Sequence, residues 1–308
     1  MFRLVPAASI WRLATCVALA VVLACGNAAS ATLPKREDVK ATLTRQVQLL
    51  SELVRDLQPP TAGLPQLYFV GFAGFGGQAV FKREVLAVRQ LFDERFGTRG
   101  RSVALINHES TLNNVPLATV SNLNHVLQHL GRRVMDTRKD TLFLFLTSHG
   151  DKGELTIDLP GFHFQQLTPG QLKTMLDDSG IRRRVIVISA CHSGSFIRAL
   201  ANPTTLVITA ARADRSSFGC EDRRRWTYFG DAYFNQALRQ DMSFTRAFDK
   251  ARRLITLWET TEKLVPSLPQ MAGGEALGAP PVGASCTGCL PGCPSYSTVT
   301  EHCMRFSR

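Results

Sequence analysis

His149 and Cys191 are the residues of this chain best suited to covalent chemistry. His149 closes the stretch TLFLFLTSHG, Thr141 to Gly150, and Cys191 closes RVIVISACHSG, Arg184 to Gly194. A thiolate is a nucleophile at neutral pH, and a nearby imidazole can take the thiol proton and later give one to a leaving amine. Gly150 lets a substrate backbone come close to the pair. Its N–H, with that of Cys191, could face the oxyanion of an acyl intermediate. Alone, each residue reads as structural. A single Cys after a strand is usually a small buried hydrophobe, and a single His is usually a satisfied polar side chain. Both together, each at a strand end and each followed by a small-residue turn, point to catalysis.

The elements that must position them follow from the flanking sequence. Each stretch is a continuous Val/Ile/Leu/Phe run bounded by turn signals, which predicts a strand buried on both faces. In an open parallel sheet, ligands bind beyond the carboxyl ends of the strands. Neighbouring strands lie about 4.8 Å apart, so the imidazole and the thiol can act on one substrate.

Ala190-Cys191-His192-Ser193-Gly194, preceded by His149-Gly150, resembles the caspase–legumain clan of cysteine peptidases. The match is closer to the legumain (asparaginyl endopeptidase) family. Legumain places Glu-Ala-Cys-Glu-Ser-Gly at a strand end, with Glu-Ser-Ser-Tyr and Thr-Tyr-Leu-Gly-Asp further on. This chain reads Arg215-Ser216-Ser217-Phe218 and Thr227-Tyr228-Phe229-Gly230-Asp231. The resemblance spans about Leu67 to Gln270. It implies a three-layer α/β/α sandwich with a mostly parallel, doubly wound sheet, and cysteine endopeptidase activity without metal or cofactor. It also implies a pocket for the residue before the scissile bond, with Asp231, Ser216 and His192 in its wall. Two departures bear on that pocket. The turn after the first strand, Gly74-Phe75-Gly76-Gly77-Gln78, lacks an arginine, and His192 replaces a glutamate. The asparagine that orients the legumain histidine has glycine in its place, so no third catalytic residue is assigned. An acidic wall without its cation predicts weaker asparagine preference and acceptance of Arg or Lys. The competing reading makes Asp231 a cap for the helix that follows it.

The rest of the chain is consistent with one α/β domain. Residues 1–31 read as a secretory signal, with Arg3 and Arg12 as its only charges, a mostly apolar run from Leu13 to Ala24 and Ala29-Ser30-Ala31 as a cleavage site. The predicted location is therefore secreted or periplasmic. Lipoprotein anchoring at Cys25 is the weaker variant. An amphipathic helix is expected over residues 35–60, either packed on the main domain or serving as a pro-segment or dimerisation helix. The peptidase domain is expected over 65–270. Strands are predicted at Leu67–Phe72, Arg101–Ile106 and Thr205–Ala210, a small hairpin around Pro160-Gly161, and helices from Gln78, Thr119, Thr168, Ser195, Tyr228 and Ser243. The glycine turn after the first strand matches no phosphate-binding fingerprint. His125 and His129 stand one turn apart, but Val126 occupies the place where a zinc-peptidase helix needs glutamate.

Residues 271–308 read as a Gly/Pro-rich linker and a tail with Cys286, Cys289, Cys293 and Cys303, for which disulfides are expected in an oxidising compartment. The formal charge of +11 gathers at Arg182–Arg184 and Arg223–Arg225. Such charge favours anionic surfaces, so envelope phospholipid or an acidic substrate is compatible with it. No nucleic-acid module is present in the sequence. The expected partner is a protein or peptide substrate. Two other functions use the same features: a transamidase with the same dyad, and a binding protein that retains the fold without turnover.

Overall fold

Strand β1, Leu67–Ala73, is buried at every position, and its side chains alternate between two cores. Leu67, Phe69 and Ala73 enter one core; Tyr68, Val70 and Phe72 enter the other. This is the period-two consequence of a pleated strand covered on both faces. The computed structural model describes residues 36–60 and 63–278, with side chains from residue 41 onward. The signal reading of residues 1–31 and the tail cysteines fall outside the described residues.

Helix α1, Arg36–Arg55, precedes β1. It is followed in turn by α2 (Ala79–Arg95), β2 (Ser102–Ile106), α3 (Val120–His129) and β3 (Thr141–Thr147). A short hairpin, β4 (Gly150–Asp151) with β5 (Glu154–Leu155), leads to α4 (Pro169–Asp178), β6 (Arg183–Ser189), α5 (Ile197–Leu200) and β7 (Thr205–Thr209). Helical turns α6 (Tyr228–Gly230) and α7 (Leu238–Gln240) flank a wide π-helical turn, Asp231–Ala237; α8 (Phe244–Thr261) and β8 (Gln270–Ala272) complete the order. The sheet runs β2-β1-β3-β6-β7-β8 and is parallel except at β8, which lies antiparallel on β7.

One core joins the sheet to α2, α8 and the Trp226–Leu238 segment, and the other joins it to α1, α3, α4 and α5. The molecule is thus a three-layer α/β/α sandwich with a mostly parallel, doubly wound sheet. Helix α1 packs on the second core through Val54 and is pinned by Gln46, which donates to the carbonyls of Leu112 and Val115 and accepts from Leu117 N.

Three sequence expectations need correction. The hairpin forms at Gly150–Leu155, while the chain around Pro160-Gly161 makes a single bridge, Leu159 to Phe162. The turn residues Lys152-Gly153, with Gly153 at φ 84°, close that hairpin. The expected domain end at residue 270 falls inside the sheet. β8 runs to Ala272, and Leu277 beyond it is buried against the first core. The composition of 271–278 resembles a linker because its glycines, Gly273 and Gly274, adopt positive φ and pack against the backbone of Asn202, Thr205 and Leu206. Arg184, read as part of a surface cluster, is buried, and its guanidinium bonds Asp177 and the carbonyls of Leu176 and Ile181.

Candidate active site

Strands β3 and β6 pair in register to Thr147 opposite Ser189. His149 and Cys191 each lie two residues further on, at the carboxyl edge of the sheet. The two segments touch there. A side chain added at Gly150 would come within 2.5 Å of the Cys191 carbonyl oxygen, so only glycine permits this approach. The structure thus brings together His149, Gly150 and Cys191.

The imidazole is held on three sides. The rings of Phe75 and Phe81 stand edge-on to it, with centroids at 4.6 Å and 5.2 Å. Its Nε2 is 2.6 Å from Oε1 of Gln78. An amide oxygen only accepts, so Nε2 carries the proton and Nδ1 keeps the lone pair. Burial among these groups lowers the pKa of His149 below the usual histidine value.

Gln78 is the residue that sequence reasoning missed. It occupies the N-cap of α2, yet its side chain makes no cap bond; the cap acceptor is Asp222, whose Oδ1 takes Ala79 N at 2.6 Å. The available signal was a glutamine where Ser, Thr, Asp or Asn is preferred. The turn before it is built for close approach. Gly74 lies against the Thr156 carbonyl, and the buried Asn107 donates to Gly74 O and Ala118 O.

The thiol takes its contacts from the loop after β7. Ser217 N donates to Sγ at 3.3 Å, and the Ser217 carbonyl and hydroxyl oxygens lie at 3.6 Å and 3.8 Å. Among the described residues no hydrogen bond joins Cys191 to His149. Apo cysteine–histidine geometry is commonly loose before substrate arrives. His192 has left-handed backbone, φ 55°, and is tied to the same loop by its N–H to Arg215 O and its Nδ1 to Ala213 O. Ser216 is exposed beside this loop, so Ser217 rather than Ser216 meets the sulfur.

Asp231 does not cap the helix. Thr227 does, through its hydroxyl and Gly230 N. Asp231 Oδ1 accepts from Asn235, and the carboxylate borders a cavity of about 200 Å³ with Arg224, Thr227, Tyr228, Trp258 and Glu262. Arg83, the first arginine after the glycine turn, spends its guanidinium on the carbonyls of Asp222 and Arg224. Cys191 and Cys220 are the free cysteines among the described residues.

A family profile described as "Peptidase C13 family" matches residues 117–278, more than half of the chain. The chain belongs to the Peptidase C13 family. His149 and Cys191 lie inside the matched segment, while Gln78 precedes it. Legumain from Homo sapiens is 32% identical over 105 residues, covering 33% of this chain and 24% of that protein. Legumain from Mus musculus is 30% identical over 105 residues, with the same coverage of 33% and 24%. This Peptidase C13 member therefore spans about a quarter of the length of the curated relatives it matches. Among solved structures, caspase-1 from Spodoptera frugiperda is similar with a TM-score of 0.47 and 13% identity, covering 70% of this chain and 92% of that one.

Proposed function

We propose that this protein is a cysteine endopeptidase in which Cys191 is the nucleophile and His149 the general base and acid. The observation that carries the reading is the side-by-side exit of His149 and Cys191 from paired strands β3 and β6, with Nε2 of the histidine already engaged by Gln78. Nδ1 then takes the Sγ proton, and the thiolate attacks the peptide carbonyl. The backbone N–H groups of Gly150 and Cys191 receive the oxyanion. Nδ1–H passes its proton to the departing amine, leaving an acyl-enzyme. The same nitrogen deprotonates the water that releases the acid. Gln78 keeps the Nε2 proton throughout.

Asp231, with Ser216 and His192 nearby in sequence to the reacting loop, is assigned to recognition of the residue before the scissile bond. Arg83 is engaged with loop carbonyls, and Arg224, which borders the same cavity, with Glu221 and the Tyr228 ring, so the side chain that bonds Asp231 is Asn235 rather than a cation. A carboxylate in that state favours a substrate that brings a donor, and Arg or Lys fits best. The signal-like residues 1–31 support action outside the cytoplasm.

The test is a peptide-library cleavage profile of the purified protein, with and without an added amine nucleophile, against its Cys191→Ala variant. The expected result is Cys191-dependent hydrolysis after basic residues. Products that carry the added amine in place of water would replace hydrolysis with acyl transfer. A Cys191 that reacts with no thiol-directed probe and supports no cleavage would leave a binding protein.

A further inference from the structure

Directly beneath the dyad lies a buried polar layer that the reaction as written does not use. Reading outward along two neighbouring strands, Phe145 and Val187 are apolar core, Thr147 and Ser189 come next, and His149 and Cys191 follow. The middle level has a single organiser, Glu84 of α2, which is 0% exposed. Its Oε2 accepts from the Thr147 hydroxyl at 2.6 Å. Its Oε1 accepts from Thr227 N at 3.1 Å and from the Thr227 hydroxyl at 2.7 Å. Thr227 Oγ1 in turn lies 3.1 Å from the Ser189 hydroxyl. All four residues are buried. Gly230 is fitted to the carboxyl group, since a side chain there would collide with Glu84 Oε1.

A carboxylate in such a place is costly. Among the described residues no salt bridge involves Glu84, and the charge that acts on it is that of Asp231, of like sign. Burial raises its pKa, and only the three donors oppose that. An apolar side chain would fill the site at lower cost, which is the usual outcome when no function intervenes. What Glu84 provides is a bond to the histidine-bearing strand and, through Thr227, a bond to the cysteine-bearing strand and to the helix that starts at Tyr228.

We infer that Glu84 is a positioning residue that sets the spacing between His149 and Cys191 by clamping Thr147 and Thr227–Ser189 from below. It touches neither substrate nor reacting atoms. The inference rests on the peptidase reading for its turnover data but not for its thiol chemistry. A small lateral shift of either strand end moves the imidazole relative to the sulfur, and a displacement near 1 Å can cost about 100-fold in rate.

The experiment compares Glu84→Gln, Thr147→Val and Thr147→Ser with the parent protein. Two readouts are taken: kcat and KM on the best cleaved peptide, and the rate of Cys191 alkylation by iodoacetamide. Glu84→Gln removes one acceptor while keeping shape, and Thr147→Val removes the donor. Both should lower kcat about 10- to 100-fold with KM within twofold, and slow alkylation at least threefold. Thr147→Ser restores the hydroxyl and should restore both rates. If Glu84→Gln does not fold, the two Thr147 variants decide. Lower thermal stability with unchanged kcat and alkylation would overturn the inference and leave Glu84 a structural group. A loss confined to KM, with altered residue preference, would overturn it as well and move Glu84 into the specificity pocket. A parent protein that cleaves no peptide would sink the peptidase reading, and the alkylation rates would still decide the role of Glu84.

Discussion

His149 Nε2 donates to Gln78 Oε1 at 2.6 Å, and this one bond leaves Nδ1 as the ring nitrogen with a free lone pair. Gln78→Ala removes the acceptor, so the ring is free to rotate and to exchange tautomers between its edge-on neighbours Phe75 and Phe81. We expect kcat to fall about 100-fold, with the fold retained. Gln78→Glu keeps an acceptor but adds a charge that favours imidazolium, and should move the acid limb of kcat/KM upward. Steady-state kinetics across pH on both variants checks the bond; an unchanged Gln78→Ala enzyme would remove Gln78 from the site.

Burial lowers the His149 pKa, so the base remains neutral at pH values where a free histidine is already charged. The acid limb of kcat/KM for the parent protein should therefore lie below about 6.5. The same shift has a stability consequence. Between the folded value and about 6.5 the unfolded chain binds more protons, so this group's contribution is present above 6.5 and is lost as pH falls through the folded pKa. Phe75→Ala opens the ring to water and should move the acid limb back toward 6.5. Rate profiles and thermal melts between pH 4 and 8, on both proteins, measure the two effects together.

The two strands and the residues at their ends were legible because each carries a dense local signal: an apolar run of buried-strand length that stops at a histidine or a cysteine. The partner of His149 was not. Gln78 is far from His149 in sequence, and its recruitment depends on Asp222, from a distant loop, taking over the cap of α2. Glu84 was hidden for a related reason. On a helical wheel it falls on the apolar face of α2, with Phe81, Val88 and Leu91, and only the fold reveals that Thr147 and Thr227 surround it. Strand β8 escaped because its three residues carry no periodic pattern and its pairing is with β7, across the intervening α8.

Cys191→Ala should abolish turnover and leave the fold intact, because alanine fits the same small site. His149→Ala should leave a slow residual rate. Members of one catalytic unit act non-additively, so the double variant should be little worse than Cys191→Ala. Single-turnover assays on the three proteins make the comparison, and a double variant that loses the product of both single losses would contradict a shared role.

His192 follows the nucleophile with φ 55°, a conformation that polar residues tolerate and β-branched ones resist. Two bonds to the loop at Ala213 and Arg215 hold it there. His192→Val should cost about 1–3 kcal/mol from backbone strain. His192→Gly should lose the imidazole contact yet keep the turn, and should be the more stable of the two. Denaturant melts rank them; equal stability would mean that the turn relaxes without strain.

The carboxyl-terminal limit of the folded unit can be found by truncation. A chain cut after Gln270 loses Met271 and Ala272, which pair with Ile208 and Val207 of β7. It also loses Leu277, which is 8% exposed and packs on the first core, and the carbonyls of Ala276 and Leu277 that Arg183 holds. Burying a leucine contributes about 1.5–3 kcal/mol, and the unpaired edge of β7 becomes a site for association with other chains. For a domain of this size the leucine alone corresponds to a Tm lowered by roughly 3–12 °C. A chain cut after Gly278 keeps all of these contacts and should melt with the full-length protein. Thermal melts and light scattering on the two truncations decide the matter: equal Tm values and equal solubility would return the boundary to residue 270.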